Sequence, residues 1–381
     1  MKKKVLVMAG YYLPSIKGGG PIQSIKNLVE NLSDRIDFYI VAADRDFGDT
    51  KPFLGIKTDN WVQVGKAKVY YTNPSNLTWR KTAAIIKSVN YDVLYLNSFF
   101  SYKYSALPMM LSKFKIIQRK PIVIAPRGQF SIGALGLKKT KKKLYIKLTK
   151  LLGLYNNIKW QATAESEKED IIKVFDNSEN IFVANNLTVS YEKLTYEKIL
   201  SKTKGEIKIV FISRIHPKKN LKMAIQLLED IQGKIEFNVF GPIEDKGYWD
   251  ECKQVIKKLP KNITVSYKGV VDHDNVMTIF KEHHVFLFPT LGENFGHVIS
   301  EALIGGCPVI ISDQSPWRQL EKRQVGWDIS LENEKAFIDV LQYCVNCDNK
   351  DYQIMSKNAF EFGKEMSNRK EDIEKTYKLF D

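Results

Sequence analysis

Short, nearly unbroken apolar runs recur along the chain, separated by polar stretches in which apolar residues return at helical spacing. KKVLVMA, FYIVAAD, YDVLYLN and KPIVIAPRG mark strands in the first half. Their apolar content is continuous, as expected for strands covered on both faces. After the first of them, Gly18-Gly19-Gly20-Pro21 forms a loop, and IQSIKNLVENL follows with a helical pattern. The second half repeats the style with IKIVFISR, a helix from Leu221, IEFNVFG, ITVSYKG, VFLFP and PVIISD. Such alternation predicts two doubly wound α/β domains. A polar, lysine-rich stretch between about Asn186 and Glu206 marks the boundary. The expected domains are residues 1–188 and 205–361. A last helical segment, about Asp351 to Leu379, alternates aromatic and charged residues.

Candidate chemistry concentrates where strands end. LGENFGHVISEALIGGCPVI, residues 291–310, follows a buried strand ending at Pro289 and sets Glu293 and Glu301 eight residues apart around the turn Asn294, Phe295, Gly296. Loops at the carboxyl ends of parallel strands line ligand crevices, and a helix start presents N–H groups to an anion. Glu293 falls in the loop, and Glu301 about two helical turns further on. Acceptor-only side chains in such a place suit hydroxyl groups. Glutamates at a helix start also serve as plain caps and dipole partners, and the spacing alone leaves both readings open. FISRIHPKKNL places Arg214 at a strand end and Lys219 just before a helix. Two cations there can neutralise charge building on a departing diphosphate. The glycines at 18–20 let backbone approach a ligand closely, although no GxGxxG is present.

ENFGHVISEAL-x-GG-C-PVI, followed by SDQSPWRQLE and GW, closely resembles the nucleotide-sugar site of glycosyltransferase family 4, retaining enzymes of the two-domain GT-B architecture. The resemblance implies two Rossmann-like domains with a cleft between them, and a closing helix, 362–381, that packs back on the first. It implies that Glu293 contacts hydroxyls of the donor sugar and Glu301 the ribose. The amides of Asn294, Phe295 and Gly296 would face sugar and diphosphate, with His297 lining the same loop. Arg214 and Lys219 match the family's Arg-x4-Lys diphosphate pair, with Asn220 where many members have glycine. On the acceptor side the resemblance points to Gly19, Gly20, Arg127 in APRGQFSIGAL and Asn97 in YLNSFFS. Many members carry histidine at the last two positions. Arginine does not exchange protons near neutral pH, so Arg127 would bind an anion or orient the sugar. The implied chemistry dispenses with a protein base: the acceptor hydroxyl attacks the face from which the diphosphate leaves, and a phosphate oxygen takes the proton. Domain closure would exclude water. No cofactor or bound metal is expected beyond the nucleotide-diphosphate sugar, with UDP or GDP as the base carrier.

Charge adds a partner. Of 381 residues, 58 are Lys or Arg and 43 Asp or Glu, a net charge of +15. Residues 1–160 hold 28 basic against 8 acidic side chains, and residues 101–150 hold 13 basic and no acidic one. Such a field favours an anionic partner. With the family's habits, it suggests a lipid-diphosphate-linked glycan at the inner face of a bacterial membrane, in capsule, O-antigen or exopolysaccharide synthesis. The run LKKTKKKLYIKLTKLL, Leu137 to Leu152, reads either as an interfacial membrane helix or as a core-facing helix with a solvated basic side. No apolar stretch approaches the roughly 18 residues of a membrane span. The apolar run behind MKKK is short for a signal peptide, so a cytosolic chain, peripheral on the membrane, is expected. Cys252, Cys307, Cys344 and Cys347 read as reduced structural thiols. Rival readings are transfer to a soluble acceptor, a sugar-nucleotide epimerase, and a nucleic-acid-binding protein. The last has no recognised module and leaves the donor motifs unexplained. Trp317 and Arg318 match the resemblance without a derived role, and Trp317 is expected to pack.

Overall fold

The computed structural model describes residues 2–136, 139–175, 179–189, 191, 193–197, 200–367 and 369–381. Leu137 and Lys138 of the lysine-rich run, residues 190, 192, 198 and 199 of the expected boundary stretch, and residue 368 of the closing segment lie outside this description. Two compact units form: Met1–Val189 with Arg369–Asp381, and Ser190–Asn368.

In the first unit the chain runs through β1 (Lys3–Met8), α1 (Gly20–Leu32), β2 (Ile36–Ala43), β3 (Trp61–Val64), β4 (Ala67–Thr72), α2 (Trp79–Lys87), β5 (Val93–Leu96), α3 (Leu107–Lys113), β6 (Ile122–Ile124), α4 (Ile132–Gly136), α5 (Lys139–Leu151), β7 (Lys159–Ala162), α6 (Glu165–Phe175) and β8 (Ile181–Val183). The sheet order is β3-β4-β2-β1-β5-β6-β7-β8, parallel except for the β3–β4 pair. Val5, Leu6, Val7 and Met8 of central β1 are fully buried, which is why that strand reads as an unbroken apolar run. The β3–β4 hairpin and strands β7 and β8 were not marked by that signal. In edge strand β3 three residues are half-buried and one is exposed, so its apolar positions never run together.

The second unit contains β9 (Glu206–Ile212), α7 (Leu221–Gln226), β10 (Lys234–Phe240), α8 (Lys246–Ile256), β11 (Ile263–Gly269), α9 (His273–Lys281), β12 (Val285–Phe288), α10 (His297–Ile304), β13 (Val309–Ser312), β14 (Gly326–Ile329), α11 (Glu334–Asn346) and α12 (Asn349–Ser367). Its sheet is wholly parallel in the order β11-β10-β9-β12-β13-β14. This is the doubly wound order, reversing between β9 and β12. A stack of Phe286 and Phe288, with Phe211 edge-on to Phe288, fills the centre. Residues of the boundary stretch group with this unit. Lys202 is buried and donates to the carbonyls of Thr203 (2.9 Å), Val345 (2.9 Å) and Cys347 (3.3 Å). The Tyr196 hydroxyl reaches Ser356 Oγ at 3.0 Å.

The closing segment is two helices rather than one. α12 stays with the second unit through Ser367, and α13 (Lys370–Lys378) belongs to the first. There Leu379 and Phe380 are buried, Phe380 meets Tyr95 edge-on at 5.6 Å, and Arg35 lies over the Tyr377 ring at 3.5 Å. The four cysteines are free and buried; burial pushes the Cys252 thiol up to about 11. No helix among the described residues is long and apolar enough to cross a membrane.

Candidate functional site

The second unit brings its candidate residues to the point where its strand order reverses. β9 and β12 are neighbours, and the loops after them carry Arg214 and Lys219 on one side and Glu293 to Gly296 on the other. These loops are fastened together by a backbone bond and a side-chain amide. Leu291 N–H donates to the Lys218 carbonyl at 2.9 Å, and the Asn220 amide donates to the Pro289 carbonyl at 2.9 Å. Asn220 is left-handed, φ 58° and ψ 37°. After glycine, asparagine is among the residues that visit this region most readily, which accounts for its standing where glycine is frequent.

Across this junction Lys219 Nζ pairs with Glu293 Oε1, both side chains 13% exposed. Thr290 Oγ1 donates to the same oxygen at 3.4 Å, and Glu293 N–H donates to the Gln314 carbonyl at 2.8 Å. Arg214 occupies the same loop but turns to Glu244, 2.5 Å away on the loop after β10. The two cations therefore share a loop and hold different carboxylates. His216 lies between them; its Nδ1 accepts from Lys218 N–H at 3.1 Å. Burial holds the His216 imidazole below its usual range; Glu244 opposes this, and the charge of Arg214 adds to it. Gly241, at the end of β10, has φ 130°, and a Cβ there would fall 1.9 Å from the Ser213 carbonyl oxygen. Glycine is what lets the loop after β10 close against the strand end that carries Arg214.

α10 starts at Gly296, an N-cap at φ 76° with no side-chain cap bond. Trp317 Nε1–H donates to the Phe295 carbonyl at 2.6 Å, and the Phe295 ring lies between Trp317 (5.8 Å) and His297 (4.8 Å). Trp317 thus pins the turn Asn294–Gly296 by its carbonyl side, a role beyond packing. Further along α10, Glu301 Oε1 meets His273 Nε2 at 3.0 Å. Burial and then the Glu301 charge push the nearby Tyr191 phenol up to about 12. Glu244, His216, His273 and Trp317 complete the constellation and were outside the sequence assignment. Glu244 and His273 stand just after β10 and β11, so their place at strand ends was the available signal.

The first unit gathers Gly19, Gly20, Asn97 and Arg127 at the carboxyl ends of β1, β5 and β6. Gly19, φ 65°, caps α1, and Gly20 opens it with Pro21 behind. Asp46 holds the preceding loop, accepting from Ser15 Oγ at 2.5 Å and Ile16 N–H at 2.9 Å. Arg127 is left-handed, φ 58°. Its guanidinium donates to Asn97 Oδ1 (2.8 Å), the Tyr95 hydroxyl (2.6 Å) and Asn186 Oδ1. Tyr95 passes the chain on to Gln161 Oε1 at 2.7 Å. Buried Glu167 accepts from Gly128 N–H at 2.5 Å and Thr163 N–H at 2.8 Å, and so fixes the backbone beside Arg127. None of the ion pairs among the described residues involves Arg127. Nor do the described residues hold a cluster of three or more His, Cys, Asp or Glu fit for a metal ion.

A parallel sheet whose order reverses beside opposed charges and a glycine-started helix is a doubly wound α/β unit with its crevice at the reversal. Residues 192–362, nearly the whole of this unit, match the family model described as glycosyl transferases group 1. The chain is 27% identical to an "Uncharacterized 41.2 kDa protein in cps region" of Klebsiella pneumoniae, over 85% of this chain and 86% of that one. It is 24% identical to an uncharacterized glycosyltransferase of Methanocaldococcus jannaschii, over 84% and 83%. In three dimensions it is similar to Anabaena Alr3699/HepE, solved with UDP and glucose (TM-score 0.68, 14% identity, 99% and 98% covered). It is also similar to sucrose-phosphate synthase of Thermosynechococcus elongatus (TM-score 0.71, 13% identity, 100% and 98% covered). The fold is GT-B: two Rossmann-like α/β units.

Proposed function

We propose that the chain is a retaining glycosyltransferase of family 4 that moves a sugar from a nucleotide-diphosphate sugar to a glycan acceptor carried on a lipid diphosphate. The observation that carries this reading is the Lys219–Glu293 pair at the strand-order reversal. A diphosphate on the α10 start would draw Lys219 and Arg214 from their carboxylates, and the released Glu293 would accept from donor-sugar hydroxyls. Preset cations of this kind act most strongly where charge develops, on the leaving phosphate. Glu301, braced by His273, would take the ribose hydroxyls. The acceptor oxygen would bond to the anomeric carbon as the carbon–phosphate oxygen bond breaks, its proton passing to that phosphate oxygen. Arg214 and Lys219 supply the countercharge, so the reading invokes no metal. Gly19, Gly20, Asn97 and Arg127 are assigned to the acceptor.

Uridine is the favoured base, supported by the UDP complexes of the Anabaena protein. The Klebsiella relative from a cps region supports capsule synthesis as the setting. The test is a thermal-shift and slow-hydrolysis screen with UDP-, GDP-, ADP- and TDP-sugars, with Glu301→Ala as control. One nucleotide class should raise the melting temperature of the wild type and not of the variant. No stabilisation by any of the four sinks the reading.

A further inference from the structure

The lysine-rich helix α5 has two apolar faces, and only one belongs to the core. Lys142, Tyr145, Ile146 and Thr149, spaced one helical face apart, turn inward. Tyr145 donates to the Phe99 carbonyl at 3.1 Å and packs edge-on against the Phe99 ring at 5.4 Å. Lys142 Nζ donates to the Ala134 carbonyl at 2.5 Å. On the opposite side Leu144, Leu148 and Leu151 recur at i, i+4 and i+7, and are 58%, 49% and 81% exposed. Lys141 lies on one flank of this stripe and Lys143 and Lys147 on the other, all exposed. None of these three takes part in an ion pair among the described residues. The stripe continues at the helix end, where Leu152 is 49% exposed and its carbonyl accepts from Lys113; the neighbouring Phe114 is 66% exposed.

We propose that α5 is a docking helix whose Leu144, Leu148 and Leu151 insert into the surface of an anionic bilayer while Lys141, Lys143 and Lys147 meet the lipid phosphates. An exposed leucine stripe flanked by lysines is the form of a helix lying in a membrane interface. Nucleic acid would use the lysines and leave the leucines in water. An apolar protein groove would leave the lysines without partners. The anionic bilayer answers both, and the surrounding residues 101–150, with no acidic side chain, add to the attraction. The inference deepens the lipid-carried acceptor of the proposed function, because the loop bearing Arg127 leads through α4 into α5.

The test is flotation of the full chain with phosphatidylcholine vesicles and with vesicles that also contain phosphatidylglycerol. The wild type should float with the anionic vesicles alone and less so as salt rises. Leu144→Ser, Leu148→Ser and Leu151→Ser should each weaken partitioning about tenfold, and Lys141→Gln or Lys147→Gln about fivefold. These side chains are exposed, so the melting temperature should hold, and the UDP-sugar shift on the same samples reports separately on the donor site. Leucine variants that float like the wild type would overturn the proposal, leaving the field alone as the attraction. So would a wild type that ignores anionic vesicles, or that self-associates through α5 instead. Loss of flotation with the UDP-sugar shift intact leaves the transfer reading standing.

Discussion

The two units place their candidate residues at the same topological position and treat charge in opposite ways. In the second, each candidate charged side chain has a polar partner: Lys219 with Glu293, Arg214 with Glu244, and Glu301 with the His273 imidazole. In the first, Arg127 stands among the neutral acceptors of Asn97, Asn186 and Tyr95. Paired charges can change partners when a dianionic ligand arrives, so the second unit is suited to a transient, highly charged group. A guanidinium held by neutral oxygens keeps its full charge and its place. It suits a ligand whose position must be set before reaction.

Removing Lys219 should break this contrast most severely. Lys219→Ala is expected to lower kcat/KM about a thousandfold through the lost countercharge. It should also cost about 3 kcal/mol of stability in urea, because Glu293 keeps a largely buried charge without a partner. Adding Glu293→Ala should restore much of the stability and none of the rate. Arg127→Ala should raise the acceptor KM about tenfold and leave donor affinity within twofold, which separates the units by kinetics. At φ 58° Arg127→Gly should be about 1 kcal/mol more stable than the alanine variant. Trp317→Phe keeps a ring and loses the bond to the Phe295 carbonyl; donor binding, by calorimetry, should weaken about fivefold. The smallest effect concerns pH. Burial lowers the His216 pKa from its ordinary 6.5, so below that value the unfolded chain binds more protons than the folded one. Its contribution is present above about 6.5 and is lost as pH falls towards the lowered folded value. His216→Gln should flatten that acid limb in thermal melts.

The candidate site of the second unit was legible because its parts are close in sequence. Glu293, Asn294, Phe295, Gly296 and Glu301 lie on one loop and one helix, and a continuous apolar strand announces them. Their partners were not legible. Glu244 and Trp317 reach the site from two other loops and His273 from the start of α9, through hydrogen bonds that follow the tertiary fold and leave no period in the chain. Central strands such as β1 and β12 betray themselves by complete burial, whereas β3, at an edge, shows only a partly covered face. The sense of α5 was undecided for a related reason: apolar residues on both sides of a helix give one composition, and only packing separates the covered side from the exposed one.

The return of α13 to the first unit bears on synthesis at the ribosome. Leu379 and Phe380, both buried in that unit's core, are made after the whole of the second unit. The first unit therefore completes its hydrophobic interior only after the second unit has been synthesised; the part translated earliest is completed latest. A nascent chain carries a second unit already synthesised while its first unit still exposes apolar surface, the kind of species on which chaperones and proteases act. The chain thus acquires its full first unit only after its second unit has been made.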